Sequence, residues 1–151
     1  MKNTWHVLFV FAFFLSSVQV ASAAEKDGVV PPVPTYADAA LILARNTGFF
    51  DRYVEKNASL NDCVAFLNGI GVRFGLMEVV NGKEFTLHDC ARSMGQIELI
   101  LSGEAEYVAG KVLLPKDVDS WESFCIMNGV DFIAGYETMV QALGAGWHDA
   151  E

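Results

Sequence analysis

At three places in the 151-residue chain, a hydroxyl residue is followed three positions later by aspartate, and a run of apolar residues at helical spacing comes next. The pairs are Thr35 with Asp38, Ser59 with Asp62, and Thr86 with Asp89. The hydroxyl of a serine or threonine at this position accepts a hydrogen bond from a free amide in the first turn of a helix. The acidic side chain accepts one from the backbone amide of the serine or threonine. The pattern predicts one helix after each pair, and Asp119 or Ser120 is the matching start of a fourth.

Apolar residues recur every three or four positions after each start, which is typical of helices that bury one face. Asn68-Gly69 and Asn128-Gly129 are turn signals inside the second and fourth of these segments. Whether they break the helices or only kink them is left open, because Asn-Gly also favours hairpins. Residues 104–118 lack helical spacing and predict a loop or a short extended segment. We therefore expect an all-α domain over residues 35–146, a compact bundle of about four helices.

A faint internal repeat indicates that the bundle consists of two helix pairs. Thr35, Asp38 and Ala40 match Thr86, Asp89 and Ala91, and Asn68, Gly69 and Gly75 match Asn128, Gly129 and Gly135. The first offset is 51 residues and the second is 60. One helix pair cannot bury both of its apolar faces alone, whereas two stacked pairs can. The alternative is that common capping and turn residues recur by chance.

The N-terminus has the three parts of a secretory signal peptide, which we place at residues 1–23. Lys2 gives a positive start, an apolar run from Trp5 to Leu15 follows, and small residues close the segment. The run is shorter than the roughly 20 apolar residues that a membrane-spanning helix needs, so no membrane span is expected in the mature chain. We expect export, to the periplasm in a Gram-negative bacterium and otherwise to the exterior. Residues 24–34 then form a proline-rich leader outside the core, and residues 147–151 a polar tail.

The chain is acidic, with 19 Asp and Glu residues against 10 Lys and Arg residues and a formal net charge of −9. An acidic surface repels the phosphate groups of nucleic acids, so nucleic-acid binding is not expected. A basic protein is the partner that such a charge suits best. The alternative is that the acidic residues serve solubility alone and imply no partner.

Few residues are suited to catalysis. Beyond the signal segment the histidines are His88 and His148, and His148 lies in a glycine-flanked tail. Cys90 is two residues after His88, so the two side chains point away from each other on a helix and do not form a catalytic pair. We expect no catalytic residues, no cofactor and no metal site.

Two other functions remain as alternatives. Cys90, Met94, His88 and Met77 are of the types that hold copper, and Cys90 and Met94 share a helix face. A thiol- or copper-handling protein centred on Cys90 is the first alternative. A small carrier of lipids or other hydrophobic ligands is the second, because the chain is rich in apolar residues.

The cysteines that follow the signal segment are Cys63, Cys90 and Cys125. In an oxidising compartment two of them can pair. Each lies about one turn into its own predicted helix. In an antiparallel bundle the second and fourth helices start at the same end, which brings Cys63 close to Cys125 and leaves Cys90 at the far end. A Cys63–Cys125 bond with a free Cys90 is therefore the predicted pairing.

The predicted function is non-enzymatic binding of another protein, as an inhibitor, an immunity factor or a subunit of an envelope complex. The candidate interface is the acidic segment around the start of the fourth helix, because aromatic side chains beside charges are common in interface hot spots. Its residues are Glu104, Glu106, Tyr107, Asp117, Asp119, Trp121 and Glu122. The sequence predicts neither the identity of the partner nor the oligomeric state.

Overall fold

The structure is a computed structural model that describes residues 30–45 and 47–146. The predicted signal peptide, most of the predicted leader and the tail at 147–151 lie outside the described residues. The described chain is mostly helical, as predicted. Its elements are α1 (Tyr36–Arg45), α2 (Leu60–Ile70), α3 (Leu76–Val80), α4 (Leu87–Ser102), β1 (Tyr107–Val108), β2 (Lys111–Val112), α5 (Trp121–Asn128) and α6 (Phe132–Gly144).

The predicted helix starts are confirmed by their side-chain caps. At α4, Thr86 Oγ1 accepts the Asp89 amide at 3.2 Å and Asp89 Oδ2 accepts the Thr86 amide at 3.0 Å. Thr35 and Asp38 make the same two bonds before α1. Ser59 caps α2, and Ser120 caps α5. Each bond satisfies an amide that has no partner within the helix, which is why these local signals locate the starts correctly.

The helices are shorter and more numerous than predicted, with six in the described chain rather than about four. The first ends at Arg45, and the second and fourth predicted helices are each divided in two. Gly71 ends α2 with a φ of 103°, and Gly129 ends α5 with a φ of 70°. Their amides bond to carbonyls of the preceding turn, so the left-handed glycine closes the helix. The sequence left open whether the second segment breaks. It does break, at Gly71, two residues beyond the Asn-Gly pair.

The two halves of the described chain are built alike. Helix α1 packs on α2 and α3, and α4 packs on α5 and α6. After α2 and after α5 the chain reads Gly-Val-x-Phe, at residues 71–74 and 129–132. In both copies the valine and the phenylalanine are buried: Val72 and Phe74, and Val130 and Phe132. Both valine amides bond to a carbonyl five residues back, at 2.8 Å. The structurally equivalent glycines are 58 residues apart, so the offset of 60 read from the Asn-Gly pairs does not align the two turns.

Tyr36 joins the two halves. Its hydroxyl donates to Asp89 Oδ1 at 2.7 Å, although Asp89 also caps α4. Its ring meets those of Phe74 and Phe85 edge-on, with centroids 5.7 and 5.2 Å away. Tyr36 is 3% exposed, so the hydroxyl needs a partner within the protein. One carboxylate thus fixes the start of α4 and its position relative to α1.

The predicted leader differs from the structure at its last residue. Pro34 is fully buried, and its carbonyl accepts the Phe85 amide at 2.7 Å. Thr35 forms an isolated antiparallel bridge with Glu84 next to this bond. Proline has no amide hydrogen, but its carbonyl oxygen accepts a hydrogen bond as readily as the carbonyl oxygen of any other residue. The segment before α1 therefore enters the core at Pro34, one residue before the predicted boundary.

The Tyr36–Asp89 bond sets the ionisation of both groups. Burial and the Asp89 carboxylate together raise the pKa of Tyr36 to about 12. Burial also acts to raise the pKa of Asp89, but hydrogen bonds from Tyr36 and Thr86 outweigh it, so the pKa of Asp89 lies below its ordinary value. A carboxylate with a lowered pKa stabilises the folded state above the unfolded pKa of about 4, and this stabilisation is lost as the pH falls through the folded pKa.

We expect the Tyr36→Phe substitution to destabilise the protein, relative to wild type, more at neutral pH than at acidic pH. At pH 7 the loss of a hydrogen bond to a charged carboxylate lowers the free energy of unfolding by about 1.5–3 kcal/mol. At pH 3 the difference from wild type should be smaller, because a larger fraction of Asp89 is protonated there than at pH 7. Urea unfolding at both pH values measures this. Tyr53→Phe is the control, since Tyr53 is 75% exposed. An equal loss at both pH values would contradict the assignment.

Candidate binding surface

The connection between α4 and α5 contains a short hairpin, and five of the seven predicted interface residues lie in this connection. Tyr107 pairs with Val112, and Val108 pairs with Lys111. The turn residues Ala109 and Gly110 have φ values of 52° and 73°. Two turn residues with a left-handed backbone conformation match the twist of the flanking strands, although Asn-Gly is the pair most often found in such turns. A left-handed alanine costs about 1–2 kcal/mol, so contacts of the strands must outweigh that cost.

Three contacts hold the hairpin against the helices. Val112 is 3% exposed and packs in a buried cluster with Leu99 and Phe124. Its carbonyl accepts a hydrogen bond from Gln96 Nε2 at 3.4 Å. On the other strand, the Tyr107 hydroxyl donates to the Ile70 carbonyl at 2.7 Å. Both strands are therefore fixed, one to α4 and the other to the end of α2.

Gly71 lies directly beneath these contacts. A Cβ atom on Gly71 would lie 2.6 Å from Cγ2 of Val112 and 2.8 Å from Cε1 of Tyr107. Both distances are too short for any side chain, so glycine is required here for the close approach as well as for its φ of 103°. The same residue ends α2 and provides the space in which the hairpin sits.

The exposed groups of the hairpin segment are both apolar and acidic. Tyr107 is 51% exposed, Val108 55% and Leu113 42%. Glu104 and Glu106 precede β1 and are exposed, and the Leu113 amide bonds to the Glu106 carbonyl at 3.2 Å. We call these five residues the hairpin surface. Two further predicted interface residues, Asp117 and Asp119, are also exposed and lie between the hairpin and α5.

The last two predicted interface residues have structural contacts. Trp121 is only partly exposed, and its ring packs so close to Gly95 that a Cβ there would lie 2.7 Å from Cε3 of the indole. The indole also meets the ring of Phe124 edge-on at 5.8 Å. Glu122 Oε1 bonds to Nδ1 of His88. Burial acts to raise the pKa of Glu122, but hydrogen bonds from its own amide and from His88 hold it below the ordinary value. These two residues mainly join α5 to α4.

The predicted Cys63–Cys125 disulfide does not agree with the structure, in which all three cysteines are free and buried. Cys63 lies in α2, which packs on α1, and Cys125 lies in α5, which packs on α4. The prediction assumed long helices that run the length of one bundle. Because the helices break at Gly71 and Gly129, each cysteine instead contacts its own half of the chain.

The residues of the copper alternative are only partly brought together. Cys90 Sγ lies 3.6 Å from Met94 Sδ, but His88 points to the surface, where it meets Glu122, and Met77 is 67% exposed on α3. Cys90 has no exposed surface, and burial raises the pKa of its thiol to about 12. A metal ligand or a nucleophile must be the thiolate, which this burial disfavours. The thiol or copper function stays an untested prediction, as does the hydrophobic carrier.

Several exposed apolar residues were not predicted. Val108 and Leu113 belong to the hairpin surface, but Ala109-Gly110 is not a strong enough turn signal to show the hairpin in the sequence. Other exposed apolar side chains lie on α3 and around Gly129: Leu76, Met77, Val80, Ile126, Met127 and Ile133. Apolar spacing alone does not distinguish Met77 and Met127 from buried residues, because it continues across the points where the helices break.

Nowhere in 30–45 or 47–146 do three His, Cys, Asp or Glu side chains gather in a way that could hold a metal ion. In the same part of the chain, no helix has both the length and the apolar character needed to span a membrane. No family model matches the chain, and no curated protein or solved structure is significantly similar to it.

Alanine substitutions at the two helix-ending glycines should separate backbone strain from the close approach of the hairpin. Gly129→Ala meets no atom within 4 Å, so we expect only the left-handed penalty of about 1–2 kcal/mol in the free energy of unfolding. Gly71→Ala adds the clash with Val112 and Tyr107, which should raise the total by a further 1–3 kcal/mol or so. Urea unfolding of both variants measures this. Equal losses would show that the hairpin does not lie against Gly71.

Proposed function

We propose that the protein is non-enzymatic and acts by binding another protein, one with a basic face, through the hairpin surface. The main support for this proposal is that Tyr107, Val108 and Leu113 are exposed on a hairpin that is bonded to both α2 and α4. Solvent-exposed apolar groups that border charges are typical of interface centres with polar rims. A fixed platform binds more tightly than a mobile loop, because less conformational entropy is lost on association.

Charge supports a basic partner. Glu104 and Glu106 precede the exposed apolar residues, while Asp117 and Asp119 follow the hairpin; Lys111 and Lys116 are the basic residues of this segment. Carboxylates around an apolar centre raise the association rate with a basic surface and disfavour acidic ones. The net charge of −9 acts in the same direction at longer range.

The side chains best suited to catalysis are engaged elsewhere, which supports a binding role. His88 is bonded to Glu122, so its Nδ1 has a structural partner. The thiols of Cys90 and Cys125 are buried, and burial raises the pKa of each to about 12. A nucleophile needs an accessible thiolate, so neither cysteine is suited to that role.

The compartment is part of the proposal. The signal-peptide pattern of residues 1–23 supports export to the periplasm of a Gram-negative bacterium, or secretion from another cell. Among exported binding proteins, the classes that suit a small acidic domain are enzyme inhibitors, immunity factors and subunits of envelope complexes. Each of these acts by covering a surface of its partner, for which no catalytic group is needed.

The partner can be captured with the immobilised protein from the envelope fraction of the native organism and identified by mass spectrometry. We expect Val108→Ser to weaken binding to the purified partner by about tenfold or more, the effect of an interface hot spot. Val80→Ser is the matched control, because Val80 is 76% exposed on α3. Exchange of Glu104 and Glu106 for lysine should mainly slow association, with Glu55→Lys and Glu137→Lys as controls.

Two results would contradict the proposal. The first is that Val108→Ser and the lysine exchanges bind the captured protein as wild type does. The second is that Val80→Ser lowers the affinity as much as Val108→Ser, which would place the binding face on α3. Unfolding curves of all variants confirm that a loss of binding is not a loss of structure.

A further inference from the structure

Two buried thiols lie on helices that pack together, Cys90 on α4 facing α6 and Cys125 on α5 facing α4. Cys125 Sγ is 3.3 Å from the carbonyl oxygen of Ala91, the residue that follows Cys90. Cys90 Sγ is 3.5 Å from the Phe132 carbonyl oxygen. Neither cysteine has any exposed surface, and the two are close enough that, after burial, Cys125 is the next cause of the raised pKa of Cys90. Cys63 belongs to the same large buried cluster as Cys90, but its charged neighbours are Arg45 and Asp62.

We propose that Cys90 and Cys125 form an intramolecular disulfide bond when the protein folds under oxidising conditions, while Cys63 remains a thiol. The bond joins the first turn of α4 to the middle of α5, on two helices that already pack together. It differs from the pairing that an antiparallel bundle predicts, because the breaks at Gly71 and Gly129 bring Cys125 to α4 rather than to α2. It goes beyond the proposed binding function and does not depend on it.

The surroundings favour a neutral sulfur pair. Burial penalises the thiolate of either residue, whereas a disulfide carries no charge. The bond removes two weak S–H donors, whose acceptors are the carbonyls of Ala91 and Phe132. Both carbonyls lie within helices, where they also accept the amide four residues later. No buried acceptor is therefore left without a partner when the sulfur atoms join.

The oxidation needs an external disulfide, either a small molecule or an exchange protein of the exporting compartment. One of the two cysteines attacks it as the thiolate, forming a mixed disulfide and releasing one thiol. The second cysteine then displaces the other half of the reagent as a thiol, and the Sγ–Sγ bond is complete. Two electrons pass from the cysteine pair to the external disulfide. Because the folded protein buries both sulfur atoms, the exchange takes place while the chain folds.

The bond would close a loop that contains the whole connection between α4 and α5, including the hairpin surface. A loop of this length restricts the unfolded chain, which stabilises the folded state relative to it. We expect the oxidised protein to melt about 10 °C or more above the reduced protein. The folded structure around the hairpin should not change, because α4 and α5 are already in contact.

Tryptic digestion tests the pairing directly, because the Lys and Arg residues place the cysteines on separate peptides. Cys63 falls within residues 57–73, Cys90 within 84–92 and Cys125 within 117–151. The full chain is refolded from denaturant with oxidised and reduced glutathione, the remaining thiols are blocked with an alkylating reagent, and the digest is analysed by mass spectrometry. We expect the peptide 84–92 linked to 117–151, and an alkylated 57–73.

A linked 57–73 peptide would overturn the proposal, as would alkylation of both Cys90 and Cys125 after oxidative refolding. Cys63→Ala gives a second, independent measurement, because it leaves only the proposed pair. This variant should retain the cross-linked peptide and lose about 10 °C or more in melting temperature when dithiothreitol is added. An unchanged melting temperature together with no cross-link would also overturn the proposal.

Discussion

The hairpin can pack against the end of α2 only because residue 71 has no side chain. Tyr107 and Val112 occupy the space that a side chain on Gly71 would fill. Because they sit there, Val112 reaches the cluster of Leu99 and Phe124, and its strand is fixed to α4. The outward-facing residues of the hairpin are thereby held in the solvent. The end of one helix thus determines both the division of the second predicted helix into α2 and α3 and the position of the hairpin surface.

One buried side chain reinforces this arrangement from α4. Gln96 Oε1 accepts the Arg73 amide at 3.1 Å, and its Nε2 donates to the Val112 carbonyl at 3.4 Å. The amide group therefore bridges the turn after Gly71 and the second strand of the hairpin. Gln96 is 3% exposed, so both of its polar atoms need partners within the protein. Together with the Tyr36–Asp89 bond, it ties the first half of the described chain to the second.

The sequence predicts those parts of this fold that depend on local chemistry. Thr35, Ser59 and Thr86 lie at the helix starts because a cap involves only residues within one turn. The helix ends are different. Apolar periodicity continues through Gly71, and the reason for the break is a contact with a hairpin some forty residues further along. Gly129 has no such contact, and the sequence names the Asn128-Gly129 pair as a possible break. The cysteine pairing nevertheless assumed uninterrupted helices, and it therefore placed Cys125 beside α2 rather than α4.

The candidate site is predicted in part for the same reason. The acidic residues Glu104 and Glu106 are exposed, as charged residues in an irregular segment generally are. Trp121 was grouped with them because an aromatic residue among charges resembles a hot spot, but a flat ring also packs well over a small residue such as Gly95. Val108 has no sequence signal, since Ala109-Gly110 is a weak hairpin turn and only the strand pairing shows which way its side chain points.

We infer that the hairpin is a fixed platform rather than a mobile loop, and NMR relaxation of the backbone amides tests this inference. With residues 106–113 held by Gly71, Gln96 and Ile70, we expect their order parameters to approach the value of about 0.85 that is typical of rigid backbone and to match those of α4. Order parameters below about 0.6 across the hairpin, with high values in α4, would contradict the claim.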